Sequence, residues 1–177
     1  MAVHTNLRSM SIEAIDEYLA IAHYCVTTEK APGALYGYPA VLLLLSVVDT
    51  LSNYLGYPEH SFQILRDFDP SLNLLQVKSL KNWYRNLPAH QAIIMPGTLL
   101  SPDPTGPPIT LGAVGEPTHI RVIPFYHLVK SGWDKFDKRK VNPKFVSKQG
   151  PGAPIDLSAS PSSSLPGLSG CMTSAKP

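Results

Sequence analysis

Residues 39–55 read PAVLLLLSVVDTLSNYL, and this segment decides the fold because it is apolar on nearly every side. A proline suits the first turn of a helix, and Gly56 just after the segment suits its end. A helix that is apolar all round must be buried, so the pattern predicts a central helix around which other elements pack. Leucines 42–45 by themselves would also fit a strand, but the length of the segment favours a helix.

Helical spacing of apolar residues recurs on both sides of the central segment. A first helix is predicted over residues 11–30, where the following Pro-Gly pair ends it, with Cys25 as a small core residue. Its inward face would carry Ile12, Ile15, Leu19, Ala22 and Val26. A short helix is predicted over 61–68 with Ser61 as its N-cap, and a longer one over 72–91. The inward face of the longer helix would carry Val77, Leu80, Tyr84, Leu87 and Gln91.

After residue 94 the pattern changes to prolines, glycines and short apolar runs. Strands are predicted at 109–114 and 119–123, with 98–100 as a third segment that pairs with them. A last helix is predicted over 125–140. Residues 149–177 are mostly Ser, Pro and Gly, and such a composition is typical of a disordered tail. The prediction is therefore a mainly α fold: one helical domain over 1–148 with a β-ribbon at about 95–123, and a disordered tail over 149–177.

Overall composition excludes several classes of protein. The chain has 177 residues, a formal net charge of +2 and 44% hydrophobic residues, as expected for a globular domain. Two cysteines exclude a disulfide framework. The longest apolar run is much shorter than the roughly 20 residues that a membrane-spanning helix needs, and residues 1–10 show no signal peptide. We therefore expect no membrane partner and a cytoplasmic location.

Positive charge is concentrated near the end of the predicted domain. Residues 124–148 contain seven lysines and arginines against two aspartates, with Trp133, Phe136 and Phe145 among them. Such a segment can contact phosphate, so the candidate RNA-binding residues are Lys130, Lys135, Lys138, Arg139 and Lys140. The alternative is a solvated, lysine-rich last helix whose aromatic residues face the core.

The segment with the most specific chemistry contains Arg85, Asn86 and His90 on the predicted 72–91 helix. An arginine can hold a phosphate through two hydrogen bonds, and a histidine can move a proton near neutral pH. Asn86 can orient either group. Five residues turn an ideal helix by about 500°, so Arg85 and His90 would lie about 140° apart. A kink at Pro88 or a second copy of the helix across a two-fold axis would bring them to one phosphate.

These residues resemble the R-N-x-x-x-H motif of the HEPN superfamily, and those that carry the resemblance are Leu80, Trp83, Tyr84, Arg85, Asn86 and His90. Residues 46–51, SVVDTL, are similar to the helix that precedes this motif in many bacterial members. The resemblance covers roughly residues 10–92, and its extension would reach about residue 145. It implies a HEPN-like helical bundle that forms a homodimer, in which the Arg and His of two protomers meet in a cleft.

The resemblance also implies an activity. Many HEPN domains are metal-independent endoribonucleases of toxin–antitoxin, abortive-infection and CRISPR-associated systems. By match to the motif, His90 would assist attack of a ribose 2′-OH or protonate the leaving 5′ oxygen, and Arg85 would stabilise the transition state. The products would be a 2′,3′-cyclic phosphate and a 5′-OH, with no metal or other cofactor. RNA is then a partner, with an antitoxin or a nucleotidyltransferase as a further one. The alternative is a non-catalytic HEPN-like module that binds a protein or a nucleotide.

Each candidate residue also has an ordinary structural interpretation. His90 could interact with carbonyls at a helix end, and Arg85 could pair with a surface carboxylate. Asp49, in the apolar central helix, would support the site by pairing with Arg85, or else form an ordinary buried hydrogen bond. His119 and His127 would make a metal pair only with further ligands, and none stands at ligand spacing beside them.

Overall fold

The fold is taken from a computed structural model, which describes residues 6–58, 62–78, 80, 98–112 and 118–143. The described residues contain the α-helices α1 (Leu7–Thr27), α2 (Gly37–Tyr54), α3 (Ile64–Phe68) and α4 (Val122–Lys135). Residues 74–78 are also helical, and Lys138–Lys140 form a 3₁₀ turn. The strands are β1 (Glu29–Ala31), β2 (Ala34–Leu35), β3 (Thr98–Ser101), β4 (Ile109–Thr110) and β5 (Thr118–Arg121).

Helix α2 is the centre of the fold, as its composition predicts. It packs against α1, α3 and α4, and the sheet that contains β3 also contacts it. Its buried apolar residues face several directions, and they are Ala40, Val41, Leu44, Leu45, Val47, Val48 and Leu51. A helix that is covered by several other elements buries most of its surface, which explains the apolar run in the sequence.

Helix α1 buries the predicted face but ends earlier than predicted. Ile15, Leu19, Ala22 and Val26 are buried, and Cys25 is a core residue as expected. The helix ends at Thr27, and β1 and β2 then form a short antiparallel hairpin. The turn has φ = 71° at Gly33, a left-handed conformation that glycine adopts without strain. The Pro-Gly pair therefore closes a hairpin instead of ending a helix at residue 30.

The expected fold class, a mainly α HEPN-like bundle with a short C-terminal β-ribbon, is wrong. The described residues contain five strands in two sheets. One sheet, formed by β1 and β2, comes between α1 and α2 in the sequence. The other is three-stranded in the order β3-β5-β4, with β3 and β5 parallel and β4 and β5 antiparallel. A ribbon requires only local antiparallel pairing, whereas a parallel pair joins strands that are distant in sequence. Local turn signals cannot show such a pairing.

The remaining boundaries differ from prediction by a few residues. Helix α3 starts at Ile64 with Gln63 as its N-cap, so Ser61, which lies outside the described residues, is not the cap residue. Helix α4 covers 122–135 instead of 125–140, because the chain is extended at Phe136 before the 3₁₀ turn. The predicted tail, 149–177, lies outside the described residues, and its disorder stays a prediction. Within the described ranges, no helix has both the length and the apolar character to cross a membrane.

Candidate functional site

The motif residues Arg85, Asn86 and His90 lie outside the described residues, but the helix turn that leads to them is described. That turn begins with a reciprocal cap: Gln76 N–H donates to Asn73 Oδ1 (2.9 Å), and Asn73 N–H donates to Gln76 Oε1 (2.7 Å). This arrangement satisfies two amides that the first turn of a helix otherwise leaves unpaired. The predicted start of this helix near residue 72 is therefore close to the start observed.

The same turn is fixed to the core on its inward side. Val77 and Leu80 are fully buried, as the predicted face requires, and they belong to the main apolar cluster. Gln76 Nε2 donates to the carbonyl of Ile109 on β4 (3.0 Å), which joins the turn to the sheet. The described turn is thus held by both the core and the sheet. The rest of the predicted face, beyond Leu80, lies outside the described residues.

Asp49 lies on α2 and is half-buried. Its neighbours Val48 and Leu51 are completely buried, so the carboxylate stands at the edge of the core-facing surface of the helix. A carboxylate in this position is costly without a polar partner. Its predicted partner, Arg85, is outside the described residues, so the pairing stays a prediction.

Three of the five candidate RNA-binding residues are engaged within the protein. Lys130 Nζ lies 2.6 Å from Asp134 Oδ1, one helical turn further along α4. Arg139 donates through Nε and Nη2 to the two oxygens of Asp137, at 2.9 and 3.1 Å. Each pair places a carboxylate directly against a cation, so Lys130 and Arg139 are less available to an external phosphate than isolated cations would be.

Lys138 is the third engaged cation. Its Nζ lies 3.0 Å from the centre of the Trp133 ring and also donates to the Trp133 carbonyl. Burial lowers the pKa of the Lys138 ammonium, while Asp16 and Asp134 act in the opposite direction. Two aromatic residues of the segment turn inward: Trp133 is buried and Phe136 is half-buried, while Phe145 lies outside the described residues. The described part of this segment therefore fits the alternative to RNA binding, in which the aromatic residues of a lysine-rich last helix face the core.

The other two candidates, Lys135 and Lys140, form no salt bridge among the described residues, and both border a cavity of about 320 Å³. The cavity lies where α3 meets α4 and the 3₁₀ turn. Its walls combine apolar and charged groups, and they include Leu55, Ile64, Asp67, Phe68, Phe136 and Asp137. Its volume is at the lower end of the range of small-molecule sites. No local sequence signal indicates this cavity, since its walls come from three separate segments.

The two histidines considered as metal ligands occupy different elements. His119 lies on β5, and His127 lies exposed on α4 with its ring against Tyr126. Within the part of the chain that the structure describes, no three His, Cys, Asp or Glu side chains come together in a set that could hold a metal ion.

The pKa of the Asp137 carboxyl group tests whether Arg139 interacts with it as the structure shows. Hydrogen bonds from the Arg139 side chain and backbone lower the Asp137 pKa below its ordinary value of about 3.9. The pKa of Asp137 is lower in the folded chain than in the unfolded chain. The stability that this group contributes is therefore complete above about pH 4 and is lost as the pH falls through the folded-state pKa. An NMR titration of the carboxyl carbon should show the lowered pKa, and Arg139→Ala should return it towards 3.9. An unchanged pKa in that variant would contradict the assignment of its cause.

Comparison with known proteins found no relative: no family model, no curated protein and no solved structure matches the chain.

Proposed function

We propose that this protein is a metal-independent endoribonuclease that uses Arg85, Asn86 and His90. The sequence motif carries this proposal. The described residues support it through the capped helix turn with buried Val77 and Leu80, the second of which lies five residues before Arg85 in the sequence. A catalytic arginine must be held within a fraction of an ångström, and a turn fixed to both the core and the sheet gives such support.

The proposed reaction breaks the bond between phosphorus and the 5′ oxygen of the next nucleotide. The ribose 2′ oxygen attacks phosphorus as its proton leaves, and the 5′ oxygen departs and takes up a proton. His90 moves one of these protons, and Arg85 stabilises the charge on the phosphoryl oxygens. Asn86 orients these groups, and Asp49 would hold Arg85. Two copies of the chain, each with its own motif, would form the active cleft.

Cleavage of a mixed RNA pool in EDTA tests the proposal. The wild-type protein should cleave, and His90→Ala should be slower by about 10²- to 10⁴-fold, the usual contribution of a general acid or base. Products should end in a 2′,3′-cyclic phosphate. An oligonucleotide with a 2′-deoxyribose at the cleaved position should resist cleavage, because the attacking oxygen is missing.

His127→Ala is the matched control for this assay. His127 is an exposed histidine on α4, so its removal changes the histidine content without affecting the motif. It should cleave at the wild-type rate. If His90→Ala and His127→Ala cleave alike, the activity does not come from the motif, and if no protein cleaves RNA, the proposal is wrong.

A second candidate is a non-catalytic module that binds a protein or a nucleotide. Internal pairing of Lys130 and Arg139 favours the protein-binding form of this candidate, because it reduces the charge available to a phosphate. The partner would be an antitoxin or a nucleotidyltransferase. RNA binding without cleavage, or no interaction with RNA at all, would favour this candidate over the ribonuclease.

A further inference from the structure

The cavity of about 320 Å³ where α3 meets α4 and the 3₁₀ turn combines an apolar interior with charged groups at its edge. We call it the α3–α4 cavity. Ile64 and Gly132 are buried and lie at its inner end. Leu55, Phe68 and Phe136 also line it, and each of them is only half-buried. These side chains therefore keep apolar surface that can pack against an apolar ligand.

Two aromatic rings give the α3–α4 cavity a defined shape. Helix α4 lies so close to α3 that a Cβ at Gly132 would fall far inside van der Waals contact with the Phe68 ring. The Phe68 ring thus lies directly on the backbone of Gly132. On the other side, the Phe136 ring stacks on the buried Trp133 with 5.8 Å between centres. Both rings are positioned by the packing of the protein itself, as in sites that are formed before a ligand binds.

The positive charge at the edge of the cavity comes from Lys135 and Lys140. Both residues border the cavity, and neither forms a salt bridge among the described residues. Both are exposed. A lysine in such a position can lay its apolar stem along the wall while its ammonium group stays in water at the mouth.

The two carboxylates that border the cavity are engaged elsewhere. Both oxygens of Asp137 accept hydrogen bonds from the Arg139 side chain, so this pair is neutral as a whole. Asp67 Oδ2 accepts a hydrogen bond from the Tyr57 hydroxyl at 2.8 Å. The charged groups left to meet a ligand are therefore the two ammonium groups, and these favour an anion.

The position of the cavity also limits the kind of anion. It lies at the C-terminal end of α4, where the helix dipole is negative and opposes a doubly charged group. Phosphate sites commonly use arginine forks or helix N-termini, and the described border of this cavity has no arginine. A singly charged carboxylate suits this position better, with most of the affinity coming from an apolar body.

We infer that the α3–α4 cavity binds a small carboxylic acid with an aromatic body. The body packs between Phe68 and Phe136, and the carboxylate faces Lys135 and Lys140 at the mouth. Polar groups of this kind fix the orientation of a ligand whose remaining contacts are apolar. The inference rests on the cavity and not on the proposed cleavage of RNA, since the ligand contains neither ribose nor phosphate.

Isothermal titration calorimetry of the full chain with naphthylacetate tests the inference. This acid has a fused aromatic body and is ionised at neutral pH. We expect a dissociation constant on the order of 0.1–1 mM, which is usual for a ligand of its size. Naphthylethanol has the same body with a hydroxyl in place of the carboxylate, and it should bind about three- to tenfold more weakly. Inorganic phosphate at the same concentration should not displace naphthylacetate.

Lysine variants test the position of the carboxylate. Lys135→Gln and Lys140→Gln should each weaken binding of naphthylacetate about two- to fivefold, the usual effect of one exposed ion pair. The double variant should bind naphthylacetate and naphthylethanol alike, because the charge of the ligand then has no partner. Lys130→Gln is the matched control, since Lys130 is on the same helix but does not border the cavity and pairs with Asp134. It should leave both affinities unchanged.

Ser131→Trp tests the position of the aromatic body. Ser131 borders the cavity and is exposed on α4, so a large side chain there should block entry without a change of charge. Neither ligand should bind this variant, and circular dichroism should show native helix content in it and in the lysine variants. Undiminished binding to a folded Ser131→Trp variant would overturn the assignment of the cavity.

Three further results would overturn the inference. The first is a lack of saturable binding of naphthylacetate to the wild-type protein. The second is equal affinity for naphthylethanol, or displacement of naphthylacetate by inorganic phosphate. The third is a Lys130→Gln variant that weakens binding as much as Lys135→Gln. None of these results bears on RNA cleavage, which the EDTA assay with His90→Ala measures separately.

Discussion

Replacing Trp133 with alanine should lower the free energy of unfolding by about 3–5 kcal/mol, the range for the loss of a large buried aromatic side chain. Trp133 is 2% exposed and joins three parts of the chain. Its indole N–H donates to Asp16 Oδ1 on α1 (2.7 Å), and its ring stacks on Phe136 with 5.8 Å between centres. The ring also supports the Lys138 ammonium. Urea denaturation followed by circular dichroism measures the loss.

Trp133→Phe separates the hydrogen bond from the packing. It keeps an aromatic ring but removes the donor to Asp16, so we expect a loss of about 1–2 kcal/mol. Asp16→Asn in the same background should then add little, because the interaction is already absent. A Trp133→Ala variant that loses less than about 1 kcal/mol would contradict the central position of this side chain.

The second large effect is expected at Gly132 on α4. An alanine Cβ there would lie far inside van der Waals contact with the ring of Phe68, so the ring would have to move. Gly→Ala in the middle of a helix normally stabilises it by up to about 1 kcal/mol. Here the steric conflict should reverse that sign and cost about 1–3 kcal/mol. Thermal and urea denaturation of Gly132→Ala measure both sign and size.

Phe68→Ala provides the matched background for this change. Once the ring is removed, Gly132→Ala should become neutral or stabilising, since only the helix preference remains. Gly37→Ala on α2 is a second control, because its new Cβ would lie 3.3 Å from the end of the Leu100 side chain and 3.4 Å from Val122 Cγ2, both of which are side-chain atoms at much longer distances than at Gly132. We expect it to change stability by less than about 0.5 kcal/mol.

A stabilising Gly132→Ala in the wild-type background would contradict the close approach of α3 and α4.

The candidate site could be predicted only as residue types in a pattern. The R-N-x-x-x-H resemblance names Arg85 and His90, and the inward face of the predicted 72–91 helix is correctly predicted at Val77 and Leu80. The charge pattern of 130–140 was less informative, because composition counts cations and carboxylates without showing which of them form pairs. Asp134 and Asp137 neutralise two of those cations, and a cation–π contact engages a third.

By itself, the sequence determined which helices form the core and which faces they bury. The all-apolar α2 and the 3–4 spacing on α1 are local properties, and a helix with such a pattern has few other stable positions. The tertiary structure alone decided the parallel pairing of β3 with β5, the hairpin at Gly33 and the cavity between α3 and α4. The pairing and the cavity depend on which distant segments meet, and hydrophobic periodicity is the same whichever neighbour covers a face.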